Sequence, residues 1–303
     1  MALNLYNIKK WIRMLSGKSI LHVNQNMGSE FVPGELRGYF NNMTEKVTKL
    51  PELLTCEDVP TVITENGDTV VFPVAVFQYG LGAYDLYLKT QEQSYFEKFR
   101  QTLEWTITNQ ESSGAWNNFF FCYPAHPYGA MCQGEAVSLL LRGYKEFNDE
   151  FYLNAAKKAV EFMLTPADRG GTAEYVNGKL CLLEYSHLPA VLNGWVFAIF
   201  GLYDMTIVCR DTLYTKALDN TLNYLTEKIE VFDCNYWSMY DMAGKIASPF
   251  YHNLHIAQMQ ALYAISGKDV FKKYQIKWSI QQKNIFNKSH AFLKKAIQKV
   301  IEK

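Results

Sequence analysis

From residue 73 onward the chain repeats one pattern four times, and this pattern constrains the fold more than any other feature. Each unit is an apolar stretch rich in small residues, followed by an amphipathic stretch with charged positions. Gln78–Tyr84 precedes Tyr95–Asn109, Gln133–Leu139 precedes Tyr152–Leu164, Asn193–Ile199 precedes Tyr214–Ile229, and Gln258–Tyr263 precedes Val270–Ile280. The leading amides are 55, 60 and 65 residues apart. A helix that is apolar all round has to be buried, whereas one with a polar face can form an outside. Four inner–outer hairpins in succession predict a mainly α fold: an α/α toroid, an incomplete barrel of about four helical hairpins, with the inner helices around a central axis. Side chains at the N-termini of the inner helices would then share one mouth. The leading amides are expected to cap helices or bond within the core, with ligand contact as the alternative.

The first 70 residues are polar and irregular, with loops marked by Gly28, Pro33, Gly34 and Gly38. Thr61–Thr64 and Thr69–Phe72 flank Asn66-Gly67, the strongest short-range hairpin signal, so a β-hairpin closes this segment. The expected organisation is therefore an N-terminal segment with a hairpin (1–70), a toroid (71–280) and a basic C-terminal helix (281–303).

Thirty Lys and Arg balance thirty Asp and Glu, but not evenly. Residues 1–29 carry +4 and residues 280–303 carry +5, leaving −9 on the body between them. With 49% hydrophobic residues, the chain is neither disordered nor a globally basic nucleic-acid binder. Leu5, Ile8, Ile12 and Leu15 share a helical face among basic residues, as do Phe286, Leu293, Ile297 and Val300. Each segment is expected to pack its apolar face on the body with lysines in solvent. The alternative is that such a helix lies on an anionic membrane surface. No run reaches the ~18 apolar residues of a membrane span, and no secretory leader is recognisable. The six cysteines form no C-x-x-C pair and are expected to be reduced core thiols. The expected location is cytoplasmic, with a peripheral membrane contact as the variant.

The loops between hairpins hold the unusual residues. Loop 111–130 carries Trp116, three Phe, Tyr123, His126 and Tyr128; loop 165–192 carries Glu184, Tyr185 and His187; loop 231–255 carries Tyr236, Trp237, Tyr240, Tyr251, His252 and His255. Long loops in a compact domain usually serve function. Aromatic faces joined to a few polar groups suit a sugar ring, so a glycan site is expected there. A dinucleotide fingerprint, a Walker loop, a G-x-S-x-G elbow and H-E-x-x-H are all absent. His252 and His255 are spaced i, i+3 without a third ligand cluster, so no metal site is assigned. Glu184, Asp233 and Asp241 are carboxylates that keep glycoside hydrolysis open.

Four segments carry a family likeness. Pro127-Tyr-Gly-Ala-Met-Cys-Gln-Gly-Glu-Ala136 resembles W-Y-S-A-M-A-Q-G-Q-A. Glu184-Tyr185, Pro189, Val191-Leu-Asn-Gly194 and Gly201-Leu-Tyr-Asp204 resemble E-Y-P, V-L-N-G and G-L-Y-D in that order. Met239-Tyr-Asp241 resembles I-Y-D, and Tyr251-His252-x-x-His255-Ile256-x-Gln258 resembles Y-H-x-x-H-I-x-Q. In this order, over about residues 70–280, the segments resemble the C-terminal helical domain of the glucuronyl C-5 epimerases, which convert glucuronate to iduronate within a polysaccharide such as heparosan. After Tyr240-Asp241, this chain has Met242-Ala243-Gly244-Lys245 where the family has Leu-Arg-His, so one expected anion-binding arginine is absent.

The resemblance implies an isomerase that needs no cofactor. It removes a proton beside a carboxylate and returns one on the opposite face, with a Glu and a Tyr as proton carriers. Mapped by motif, these are Glu184 and Tyr251, with Tyr185, Tyr240 and Tyr128 orienting the ring or sharing the proton work. Trp116, Gln133, Asn193, His252, His255, Arg37 and Tyr79 are candidate substrate contacts, and either histidine is a candidate aid to Tyr251. Arg37, Lys179 and Lys245 are candidate local cations in an otherwise acidic body. The expected partner is an acidic, glucuronate-containing polysaccharide and not a nucleic acid. Contact with a membrane or a biosynthetic complex through the basic termini, and a homodimer, stand beside it. A lyase or uronyl hydrolase on the same toroid and a non-catalytic glycan-binding protein are the competing readings.

Overall fold

Burial alternates from helix to helix along the computed structural model, which describes residues 22–49, 59–64 and 67–301. Helix α1 (Thr44–Thr48) and strands β1 (Thr61–Ile63) and β2 (Thr69–Val71) come first. Inner helix α2 (Pro73–Thr90) is followed by outer α3 (Gln93–Thr108), and inner α4 (Ala130–Phe147) by outer α5 (Glu150–Leu164). The hairpin β3 (Ala173–Val176) and β4 (Lys179–Leu182) intervenes. Inner α6 (Leu192–Val208) is followed by outer α7 (Thr212–Lys228), inner α8 (Pro249–Ser266) by outer α9 (Asp269–Lys283), and a final helix α10 spans Ile285–Ile301.

The alternation follows from composition. Every residue of α6 from Leu192 to Leu202 is buried, whereas α3 buries only Phe99, Thr102, Leu103 and Thr106, one stripe at helical spacing. The inner helices pack in the order α2, α4, α6, α8. Gly134 and Gly201 let α4 and α6 approach closely, since a Cβ at Gly201 would lie 2.3 Å from the Gly134 carbonyl oxygen. The chain is thus an α/α toroid of four helical hairpins.

The N-terminal segment belongs to the same body. Phe31, Tyr39, Phe40 and Met43 join the hydrophobic core formed by the four inner helices. Asn26 bonds Asn253 of α8 while Met43 packs on Gly82 of α2, so the segment bridges the first and last inner helices. At the C-terminal ends of the inner helices, buried Arg142 of α4 donates to Asp204 of α6 at 2.7 Å and to the carbonyls of Arg37 and Gly38. The expected hairpin β1–β2 forms, with Thr61 opposite Val71 and Ile63 opposite Thr69; Glu65 and Asn66 of its turn lie outside the described residues.

Three expectations change. The hairpin β3–β4 interrupts the expected loop 165–192, and Asn177-Gly178 forms its turn: both residues have positive φ, 52° and 78°, as a two-residue turn requires. Cys122 is exposed, unlike the buried thiols Cys132 and Cys181. Helix α10 is turned the opposite way from expectation: Ala291, Lys295 and Gln298 face the body, while Phe286 and Leu293 are 81% and 60% exposed. The N-terminal amphipathic stretch lies outside the described residues, and no described helix is long and apolar enough to cross a membrane.

Candidate active site

The inner helices α4 and α6 begin without side-chain caps, and their first N–H groups are satisfied by neighbouring loops instead. Ala130 N–H donates to the Leu183 carbonyl and Leu192 N–H to the Tyr240 carbonyl. These bonds draw loop 183–191 and loop 236–248 over one end of the toroid, where orphan helix donors would otherwise remain. Helix α8 starts there too, with Pro249 at its first position and Ser248 accepting from Tyr251 N–H.

Each polar side chain gathered in this mouth has its own support. Strand β4 runs straight into Glu184, and Leu183 N–H donates to the Thr172 carbonyl across the hairpin. Gly194 leaves room for the carboxyl: a Cβ there would lie 2.4 Å from Glu184 Oε2. Tyr240 precedes a tight turn in which Asp241 Oδ1 accepts from the N–H groups of Ala243 and Lys245. Tyr251 lies in the first turn of α8, its ring 4.9 Å from that of Tyr240.

Together these groups form one cluster, in which Glu184 lies beside Tyr185, Tyr185 beside Tyr240, and Tyr240 beside Tyr251, each close enough to influence its neighbour's ionisation. Glu184 is buried at its inner end, and the three tyrosines are half-buried. Burial pushes the Glu184 carboxyl up to about 7, and Oε2 has no hydrogen-bond partner. Burial, and then the charge of Glu184, hold all three tyrosine hydroxyls protonated well above their ordinary range.

Aromatic rings border this cluster. Phe119 stacks on Tyr185 at 4.6 Å, Tyr123 meets Tyr185 and His187 edge-on, and His126 stacks on His187 at 4.2 Å. On the other side His22 packs against Phe250 and Tyr251. The Lys295 ammonium of α10, itself buried, lies 5.4 Å from the centre of the Tyr240 ring. The sequence singled out the loop aromatics collectively but not Phe119, His22 or Lys295. The spacing that would have marked Lys295 is its place among Ala291 and Gln298 on one side of the last helix.

Several expected contacts lie elsewhere. Trp116 is fully buried, its indole N–H donating to the Thr106 carbonyl, and Gln133 brackets the Trp116 backbone with both ends of its amide. Tyr79 is buried in the core. Tyr128 turns away from the cluster to bond Glu111 at 2.6 Å. His252 and His255 both bond Ser238 Oγ, and His252 also bonds the Trp278 carbonyl and stacks on Trp237 at 3.6 Å. They brace loop 236–248 rather than serving Tyr251. Arg37 pairs with Glu30 at the opposite end of the toroid from this mouth, over the C-terminal half of α4. Lys179 pairs with Glu227, while Lys245 stays 43% exposed, 4.0 Å from Asp241. Asn193 is nearly buried at the start of α6, its carbonyl accepting from Gln258, with its own Oδ1 unpartnered. The four repeat amides therefore tie walls together or line the interior; none caps a helix. Asp233 is engaged by Lys277 and by the Trp278 indole, and Asp241 by its own turn, so neither pairs with Glu184 as a second free carboxylate. Among the described residues, no three His, Cys, Asp or Glu stand together as metal ligands.

Fold and site define an α/α toroid with one buried carboxyl and three phenols clustered in its mouth. The chain belongs to the D-glucuronyl C5-epimerase C-terminus family, which matches residues 101–280. It is 25% identical over 217 residues to the D-glucuronyl C5-epimerase of Caenorhabditis elegans, covering 62% of this chain and 35% of that protein. It is 31% identical over 160 residues to an uncharacterized protein of Methanocaldococcus jannaschii, covering 50% of this chain and 51% of that one. The chain thus spans between a third and a half of the length of these relatives. Among solved structures, a GH76 alpha-mannanase of Bacteroides thetaiotaomicron shares the fold with a TM-score of 0.51 at 14% identity, over 73% of this chain and 63% of that one. The cellobiose 2-epimerase of Bacillus thermoamylovorans shares it with a TM-score of 0.51 at 11% identity, over 77% and 66%.

Proposed function

We propose that the protein is a carbohydrate epimerase that inverts carbon 5 of a glucuronate residue within a glycan polymer. The observation that carries this reading is the cluster of Glu184 with Tyr185, Tyr240 and Tyr251 in one mouth. Inversion beside a carboxylate needs a base on one face and an acid on the other. A carboxyl poised near 7 suits the first role, since it is substantially ionised at neutral pH yet basic enough to take a proton. A phenol held protonated suits the second. Glu184 takes the carbon 5 proton, the electron pair moves into the substrate carboxyl group as an enolate, and Tyr251 delivers its hydroxyl proton to the opposite face. The proton on Glu184 then returns to Tyr251 through Tyr185 and Tyr240, so each cycle ends as it began. Lys295 and Lys245 supply positive charge near the enolate, and the Phe119–Tyr123–His187 rings offer a surface on which neighbouring sugars stack.

The test is solvent deuterium incorporation at carbon 5 of a non-sulfated glucuronate polymer, with ultraviolet absorbance recorded for any unsaturated elimination product. Wild type is expected to exchange without absorbance, Tyr251→Phe to lose about 10²–10⁴ of the rate, and Tyr128→Phe to stay within about threefold because its partner is Glu111. Equal exchange in wild type and Tyr251→Phe would overturn the reading. Gly194→Ala forces Glu184 to move, because the new Cβ would also lie 2.5 Å from Glu184 Cβ. It is expected to lower exchange at least about tenfold while circular dichroism shows the helices intact.

A further inference from the structure

Helix α10 has two unlike faces. Ala291, Lys295 and Gln298 hold loop 236–248: Gln298 accepts from Ile246 N–H and donates to the Gly244 carbonyl, and Ala291 packs in a small core with Trp237, Met239, Ile246 and Ala247. Away from the body, Ile285, Phe286, Leu293, Ile297 and Ile301 are all more than half exposed. At helical spacing they share one sector about 160° wide, with Lys294 at one edge and Lys288 and Lys299 at the other. Ile276 and Ile280 of the preceding α9 are also largely exposed. A soluble protein rarely leaves such a set uncovered.

We infer that this face of α10 docks on an anionic lipid bilayer, lying in the plane of the interface. Charge selects this occupant. The segment 280–303 carries +5 with a single acid, Glu302, on a chain whose middle carries −9. A second copy docking through this same face would set one lysine rim against the other, whereas phosphate headgroups meet that rim while the Phe, Leu and Ile side chains enter the acyl boundary. The apolar sector is too short for a span but long enough to lie flat. Because the opposite face grips the Tyr240 loop, docking sets the mouth of the toroid close to the membrane surface.

The test is flotation of the full chain with phosphatidylcholine vesicles and with vesicles containing about 30% phosphatidylglycerol. Binding is expected to the anionic vesicles, to fall at least about tenfold when salt is raised from 0.1 to 0.5 M, and to fall at least about tenfold in Phe286→Ser/Leu293→Ser. Lys288→Glu/Lys294→Glu is expected to lose the anionic preference. All four positions are on or beside the solvent face, and thermal unfolding is expected to match wild type. Anionic binding that both double variants retain would overturn the inference. So would absence of vesicle binding, together with a concentration-dependent dimer by light scattering that Phe286→Ser/Leu293→Ser abolishes.

Discussion

Glu184→Gln is expected to abolish carbon 5 exchange and, in the same molecule, to raise stability at alkaline pH. The carboxyl is largely buried, with one oxygen unpartnered, and burial pushes it up to about 7 from an ordinary 4.5. In the unfolded chain it ionises around 4.5; in the folded protein it keeps its proton to about 7. Its contribution is therefore fully present below about pH 4.5 and is lost as pH rises through 7, amounting to about 3 kcal/mol by pH 8. The amide removes this pH dependence. Thermal unfolding at pH 8 is expected to show Glu184→Gln several degrees above wild type, with the gap closing at pH 5. The rate is expected to fall about 10²–10⁴-fold, and the wild-type rate to rise with pH through a midpoint near 7 as the base ionises. A variant both inactive and less stable at pH 8 would show that Glu184 is a structural carboxyl held by Tyr185.

Arg142→Ala is expected to unfold the protein far more readily than any change in the mouth. Its guanidinium is buried, pairs with Asp204 and closes two carbonyls of the N-terminal segment as well as that of Ser138. Truncating one partner strands a buried charge, which costs about 3–5 kcal/mol, roughly 10 °C in unfolding temperature. Arg142→Met/Asp204→Leu removes both charges and is expected to recover part of that loss. If the double variant were no better than the single, the carbonyl contacts to Arg37 and Gly38 would be the larger contribution.

The toroid was legible because burial requirements print themselves on composition: a segment such as Leu192–Leu202 tolerates no polar face. Glu184, Tyr185, Tyr240 and Tyr251 were legible through motif resemblance. What the sequence hid was direction. Trp116, Gln133 and His252 have the chemistry of a binding site, yet each spends it on a neighbouring carbonyl or hydroxyl, which only three-dimensional packing decides. Asn177-Gly178 is a turn signal as plain as Asn66-Gly67, masked in the sequence because a two-strand hairpin interrupts the helical rhythm. The last helix misled because an amphipathic pattern fixes which side chains share a face, but not which face the protein keeps.

A boundary drawn at residue 280, where the repeat ends, looks natural for a trimmed domain. It would detach the buried lysine beneath Tyr240 and the two bonds from Gln298 that clamp the turn after it. The final seventeen-residue helix is then no appendage. It is the outer jamb of the doorway, and a shortened chain would keep its barrel while leaving the loop that carries Tyr240 to swing.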